Sequence, residues 1–219
     1  MRRVVNEVRR VGMNRYSSAI LCILLLLLAV PTVNATITNW TCADDGDGAI
    51  VMNPATMSWT DNGSHDYTLS MKGAQYRGAA NVAGDFTTDS DLDPTVGIIE
   101  DISNDTTFDW TDYHITIGMS HAFTFVSSYI VTPDGWTESF GSVLSGQPIP
   151  NGGTGWVGTV DYYIGTGDPV AMGDDGMFGF KVSFSGSTAF CTEQNPSPEP
   201  ATIILLGLGA VSVIRRKRA

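Results

Sequence analysis

Phe178-Gly179-Phe180-Lys181-Val182-Ser183-Phe184 sets a large apolar side chain at every second position, with small or polar residues between. Successive side chains of an extended strand point to opposite faces, so this spacing puts Phe178, Phe180, Val182 and Phe184 on one buried face. Tyr113, Ile115, Ile117 and Met119 repeat the pattern, with His114 and Thr116 between them. A third strand is expected from Gly155 to Ile164, where two adjacent tyrosines blur the inward face. Shorter runs predict strands at 50–52, 56–60, 67–71, 96–102 and 123–131.

Composition supports the same class. Residues 36–195 hold three leucines against 21 threonines, together with all five Trp, all nine Phe and six of the seven Tyr. Leucine is a principal helix-core residue, whereas Thr and aromatics suit a pleated, half-buried surface. Turn signals at Asp61-Asn62-Gly63, Asp93-Pro94, Pro133-Asp134-Gly135, Pro148 to Gly153 and Asp174-Asp175-Gly176 divide the runs. The expected fold is all-β: a single antiparallel β-sandwich or jelly-roll-like domain over residues 36–195, of about eight to ten strands. A barrel is the alternative. No internal repeat is visible.

Both ends read differently from the middle. Arg2, Arg3, Arg9, Arg10 and Arg15 precede the apolar run Ala19 to Val30, which includes five successive leucines. Twelve apolar residues fall short of the roughly 20 needed for a stable span. Pro31 breaks the run, and Val33-Asn34-Ala35 places small residues at the −3 and −1 positions of a cleavage site. Residues 1–35 therefore read as a signal peptide cut between Ala35 and Thr36, with the Sec translocon and signal peptidase as partners. An uncleaved signal anchor is the alternative.

The C-terminal residues 196–219 fall into three parts. Pro196, Pro198 and Pro200 keep the chain extended. Ile203 to Ile214 form an apolar stretch, and even a span of about 14 residues there reaches only ~21 Å at 1.5 Å per residue, short of a ~30 Å hydrocarbon core. Arg215, Arg216, Lys217 and Arg218 follow, as the positive-inside rule requires for a cytoplasmic end. A short transmembrane helix of this kind suits a temporary stop.

With Pro198-Glu199-Pro200-Ala201-Thr202 leading into the apolar stretch and the basic cluster, this tail resembles the PEP-CTERM sorting signal. The resemblance covers about 25 residues. It implies recognition by an exosortase, a membrane-embedded cysteine transpeptidase that cleaves near Pro-Glu-Pro. It also implies a transient inner-membrane anchor and a final place in the cell envelope, at the cell surface or outside the cell. Such proteins are typical of Gram-negative bacteria that make exopolysaccharide, so association with that matrix is implied by company. An ordinary tail-anchored surface protein is the alternative.

The middle offers several candidate sites. Cys42 and Cys191 lie near the two ends of the domain, and in an oxidising compartment they are expected to form a disulfide, with two thiols as the alternative. Asp45 and Asp47 lie in Asp44-Asp45-Gly46-Asp47-Gly48, which fails the EF-hand register because Ala43 and Pro54 fall at ligand positions. Irregular calcium binding there, or at Asp89, Asp91 and Asp93, is set against solvated acidic loops. The second row of carboxylates needs a counter-ion or solvent.

Ser120 in Gly118-Met119-Ser120-His121-Ala122 brushes against a nucleophile elbow, but its flanks read as two strands and a hairpin turn. His65, His114 and His121 have no metal-ligand spacing. Trp136 and Trp156 sit beside turns and are candidates for stacking on sugar rings. Paired carboxylates suited to glycoside hydrolysis carry no information among so many acidic residues.

The whole chain has a net charge of −11, but residues 36–195 carry 21 acidic residues against Lys72, Arg77 and Lys181, or −18. That charge argues against nucleic acid as a partner, because phosphate contacts need clustered basic residues. Two functions are in play. One is a non-catalytic, exported surface or matrix protein, structural or polysaccharide-associated, without a resident cofactor unless calcium binds. The other is an exported polysaccharide-acting enzyme of glycoside-hydrolase type.

Overall fold

A computed structural model describes residues 35–150 and 152–198. Twelve strands follow in chain order: β1 (Ile37–Asp44), β2 (Ile50–Gly63), β3 (Asp66–Gln75), β4 (Ala80–Thr88), β5 (Thr95–Asn104) and β6 (Asp112–Met119) form the first half. The second half holds β7 (Phe123–Phe125), β8 (Trp136–Phe140), β9 (Leu144–Pro148), β10 (Thr154–Ile164), β11 (Asp175–Phe184) and β12 (Thr188–Ser197). One sheet runs β1-β4-β12-β6-β10-β8 with β9 also on β10, and the other runs β2-β3-β5-β11-β7. The two sheets enclose one apolar core, which makes the all-β sandwich expected from the alternating runs.

The two diagnostic stretches behave as their spacing requires. Tyr113, Ile115, Ile117 and Met119 are buried on β6, and Phe178, Phe180, Val182 and Phe184 are buried on β11. Phe178 anchors one aromatic cluster, stacked on Tyr113 at 4.1 Å with Trp110, Trp136 and Tyr162 around it. Phe86 anchors another, stacked on Phe184 and Phe190. Trp40 of β1 stacks on Trp59 of β2 at 5.8 Å, which closes the gap between the two edge strands. Each such pair contributes about 0.5–1.5 kcal/mol beyond area burial.

Three local expectations change. The pair β3–β5 is parallel, so the sheets are not purely antiparallel. Because β4 belongs to the opposite sheet, the chain returns to its starting pole before β5 begins, and β5 must then run in the direction of β3. The runs at 50–52 and 56–60 are one edge strand, β2, with an irregularity between Asn53 and Ser58 that accommodates Pro54 away from the ladder. Ser120 lies on a crossover from β6 in one sheet to β7 in the other, not in a hairpin turn. Beyond β7 the chain leaves regular pairing, and Val131 bridges back to Gly179 of β11.

Candidate functional site

The last strand before the C-terminal residues lies in the middle of a sheet. β12 lies between β4 and β6, and its ladder with β6 continues through Pro196↔Tyr113 and Ser197↔Asp112, two residues past the expected domain end. The Thr111 N–H donates to the Ser197 carbonyl at 3.0 Å, and Ser197 Oγ donates to Asp112 Oδ2 at 3.3 Å. Pairing with β4 stops at Gln194↔Ala80. Neighbouring residues of a strand present their backbone groups to opposite sides, so Pro196, which has no N–H, faces the side that β4 has already left. Pro198 is the last described residue. Glu199, Pro200, Ala201 and Thr202, the expected short transmembrane helix and Arg215, Arg216, Lys217 and Arg218 lie outside the described residues.

Beneath this end of β12 lies a polar cluster that the sequence reading missed. Glu100 of β5 is buried, and Gln194 of β12 donates through Nε2 to both of its carboxylate oxygens at 3.1 Å. The same Nε2 reaches Thr192 Oγ1 at 2.8 Å. Tyr113 OH donates to Gln75 Oε1 at 2.8 Å, and Gln75 Nε2 donates to the Gly78 carbonyl at 2.6 Å. Burial pushes the Glu100 carboxyl up to about 7, against the opposing pull of the Gln194 amide. Burial first, then the Glu100 charge, raises the hydroxyls of Tyr113 and Tyr162 well above the usual tyrosine range. The signal was present: Val96, Ile98, Glu100 and Ile102 share one period-two face, so Glu100 had to point inward.

The expected disulfide does not form. Cys42 pairs in register with Gly84 on β4, whereas Cys191 pairs with Ala83 from the other side, so the two cysteines are two strands apart. Cys42 Sγ points into the core, 3.7 Å from Met71 Sδ. Cys191 points to the outer face, toward the Gly118 carbonyl at 3.5 Å.

The aspartates serve their own loops. Asp45 Oδ1 accepts from the Asp47 N–H at 3.1 Å and Asp47 Oδ1 from the Ala49 N–H at 2.6 Å. The bond from the Asp47 N–H, then that from Asn81, holds the Asp45 carboxyl below its usual range. Asp89 Oδ1 accepts from the Thr36 N–H at 2.8 Å, while Asp93 borders an open depression of about 210 Å³ beside Phe123 and Ser183. Asp91 lies against Gly186. Among the described residues, no three His, Cys, Asp or Glu side chains come together in a way that could hold a metal ion.

Trp136 is not available for stacking on a sugar. It is 5% exposed, meets Phe178 edge-on at 5.8 Å and donates its indole N–H to the Asp168 carbonyl at 2.9 Å. Trp156 is half-buried and packs against the core. Ser120 Oγ meets Thr188 Oγ1 at 3.0 Å and accepts from the Ala189 N–H, so its bonds brace β12. His114 Nδ1 lies 2.8 Å from Asp161 Oδ1 on the outer face of the sheet. His65 Nδ1 donates to the Ala35 carbonyl at 3.0 Å.

Residues 198–218 match the PEP-CTERM protein-sorting motif. The match begins one residue after β12 ends. It covers the Pro-Glu-Pro stretch, the apolar run and the basic cluster, and it marks the chain as a PEP-CTERM protein, sorted through an exosortase and anchored transiently on its way to the cell envelope. No curated protein matches the chain in sequence.

Proposed function

We propose that this PEP-CTERM protein is exported as a non-catalytic β-sandwich that ends at the cell surface or in the extracellular matrix, associated there with exopolysaccharide. The carrying observation is the abrupt join between fold and tail. β12 is held in its sheet as far as Ser197, and the sorting motif starts at Pro198. Scission near Pro198 to Pro200 would remove the hydrophobic and basic segments and leave every strand of the sandwich intact. The released domain would carry its acidic surface outward, so cations would have to bridge it to an anionic polysaccharide.

The leader at residues 1–35 is the reading that brings this domain across the inner membrane. Cell fractionation after deletion of Pro198 to Ala219 tests the proposal. The full-length protein is expected to be processed and surface-associated, and the truncated one to lose that destination. Identical location and processed size for both would overturn the sorting reading. Release of new reducing ends from matrix glycans by the purified domain would overturn the non-catalytic one.

A further inference from the structure

The described chain opens in a two-way clasp at the pole of the sheet opposite Ser197. The Thr36 N–H donates to Asp89 Oδ1 at 2.8 Å, and the Asp89 N–H donates back to the Thr36 carbonyl at 3.1 Å. One residue earlier, Ala35 is fully buried, and its carbonyl accepts from His65 Nδ1. The nitrogen bonded to Asp89 is therefore the one that a cut between Ala35 and Thr36 turns into a chain terminus. As an amide it offers one donor and no charge. As a terminal ammonium it offers three donors and a positive charge, as a lysine head does.

Asp89 begins the carboxylate row Asp89, Asp91, Asp93, whose spacing calls for a counter-ion or solvent. None of the ion pairs among the described residues includes any of the three.

We propose that Asp89 is the receptor of the mature N-terminus: cleavage of the Ala35–Thr36 bond creates an α-ammonium group that pairs with the Asp89 carboxylate and fastens edge strand β1 to β4. This rests on the export reading above. Water is the co-reactant. Its hydroxyl goes to the Ala35 carbonyl carbon, the C–N bond breaks, and one proton goes to the Thr36 nitrogen. The resulting amine takes one more proton from solvent. The Ala35 carbonyl is engaged by His65, so the cut belongs before that contact closes. The bond from the Thr36 N–H already holds the Asp89 carboxyl below its usual range, which keeps it ionised to receive the ammonium. The pair is exposed, so its signature is a titration rather than a large change in stability.

The test uses the full chain, secreted and purified, with its first residue identified by mass spectrometry and its α-amino group titrated by NMR. The expected protein begins at Thr36, and its amine titrates above the ordinary range of about 7.7–8.0. Asp89→Asn is expected to bring it back to that range, while Asp91→Asn leaves it raised. An ordinary titration in the parent protein, a raised one indifferent to Asp89→Asn, or a mature chain beginning elsewhere would overturn the inference. Retention of residues 1–35 would instead overturn the export reading on which it stands. Should Asp89→Asn fail to accumulate, salt decides: screening must lower the parent amine's titration toward the ordinary range, and a salt-independent value overturns the pair.

Discussion

Cys42 and Cys191 point to opposite faces of one sheet, with β4 between their strands. Two strand spacings separate their backbones by about 10 Å, whereas a disulfide needs Cα atoms within about 7 Å. Oxidising surroundings cannot overcome that geometry without dismantling the sheet. Peptide mapping without reductant is therefore expected to find no Cys42–Cys191 cross-link, and reductant should leave the thermal midpoint unchanged. A cross-linked peptide would refute the placement of β1 beside β4.

Cys42 should also be slow to react in the native protein. Burial, reinforced by the charges of Glu100 and Asp44, pushes its thiol up to about 12. The thiolate is the nucleophile, so at pH 8 almost none is present. Iodoacetamide is expected to label Cys42 rapidly only after unfolding. Comparable labelling rates in native and denatured protein would contradict this.

Glu100 predicts a pH dependence with a definite sign. Its carboxyl is raised from 4.5 to about 7 on folding, so the protonated form is favoured in the folded state. The stability linked to that proton is complete below the unfolded value near 4.5 and is lost as pH rises through 7. The difference corresponds to about 3 kcal/mol. Glu100→Gln keeps an acceptor for Gln194 and removes the ionisation. It should flatten the denaturation midpoint between pH 5 and 7 and stabilise the protein above pH 7. A variant with the parent's slope would show that another group controls this window.

Gly84 is where β1 and β12 approach β4 too closely for a side chain. A Cβ there would lie 1.9 Å from the Thr41 carbonyl oxygen and 2.8 Å from the Phe190 ring. Gly84→Ala must displace edge strand β1 and should cost about 1–3 kcal/mol in chemical denaturation. A variant within 0.5 kcal/mol of the parent, the usual scatter of surface substitutions, would mean that β1 adjusts freely.

Trp136 gives a contrast between packing and recognition. Trp136→Ala removes a buried indole that meets Phe178 and bonds the Asp168 carbonyl, at an expected cost of about 3–5 kcal/mol. Its effect on any polysaccharide retention should follow the fraction folded. Loss of retention with unchanged stability would return Trp136 to a surface role.

The sequence alone determined the all-β class, because Tyr113 to Met119 and Phe178 to Phe184 carry their buried faces at a period of two. It also determined the sorting tail, since Pro-Glu-Pro, apolar run and basic cluster are adjacent in the chain and need no folding to be read. β12 escaped that reading because its inward positions include Thr188, Thr192, Gln194 and Pro196, which show no apolar rhythm. Its place in the sheet comes from neighbours distant in sequence, β4 and β6. Those pairings decided that Cys42 and Cys191 face apart and that Gln194 meets Glu100 across the core. They also carry the fold to the threshold of Pro198. Periodicity gives a side chain's face within its own strand, but only the packing of remote strands decides what stands opposite it.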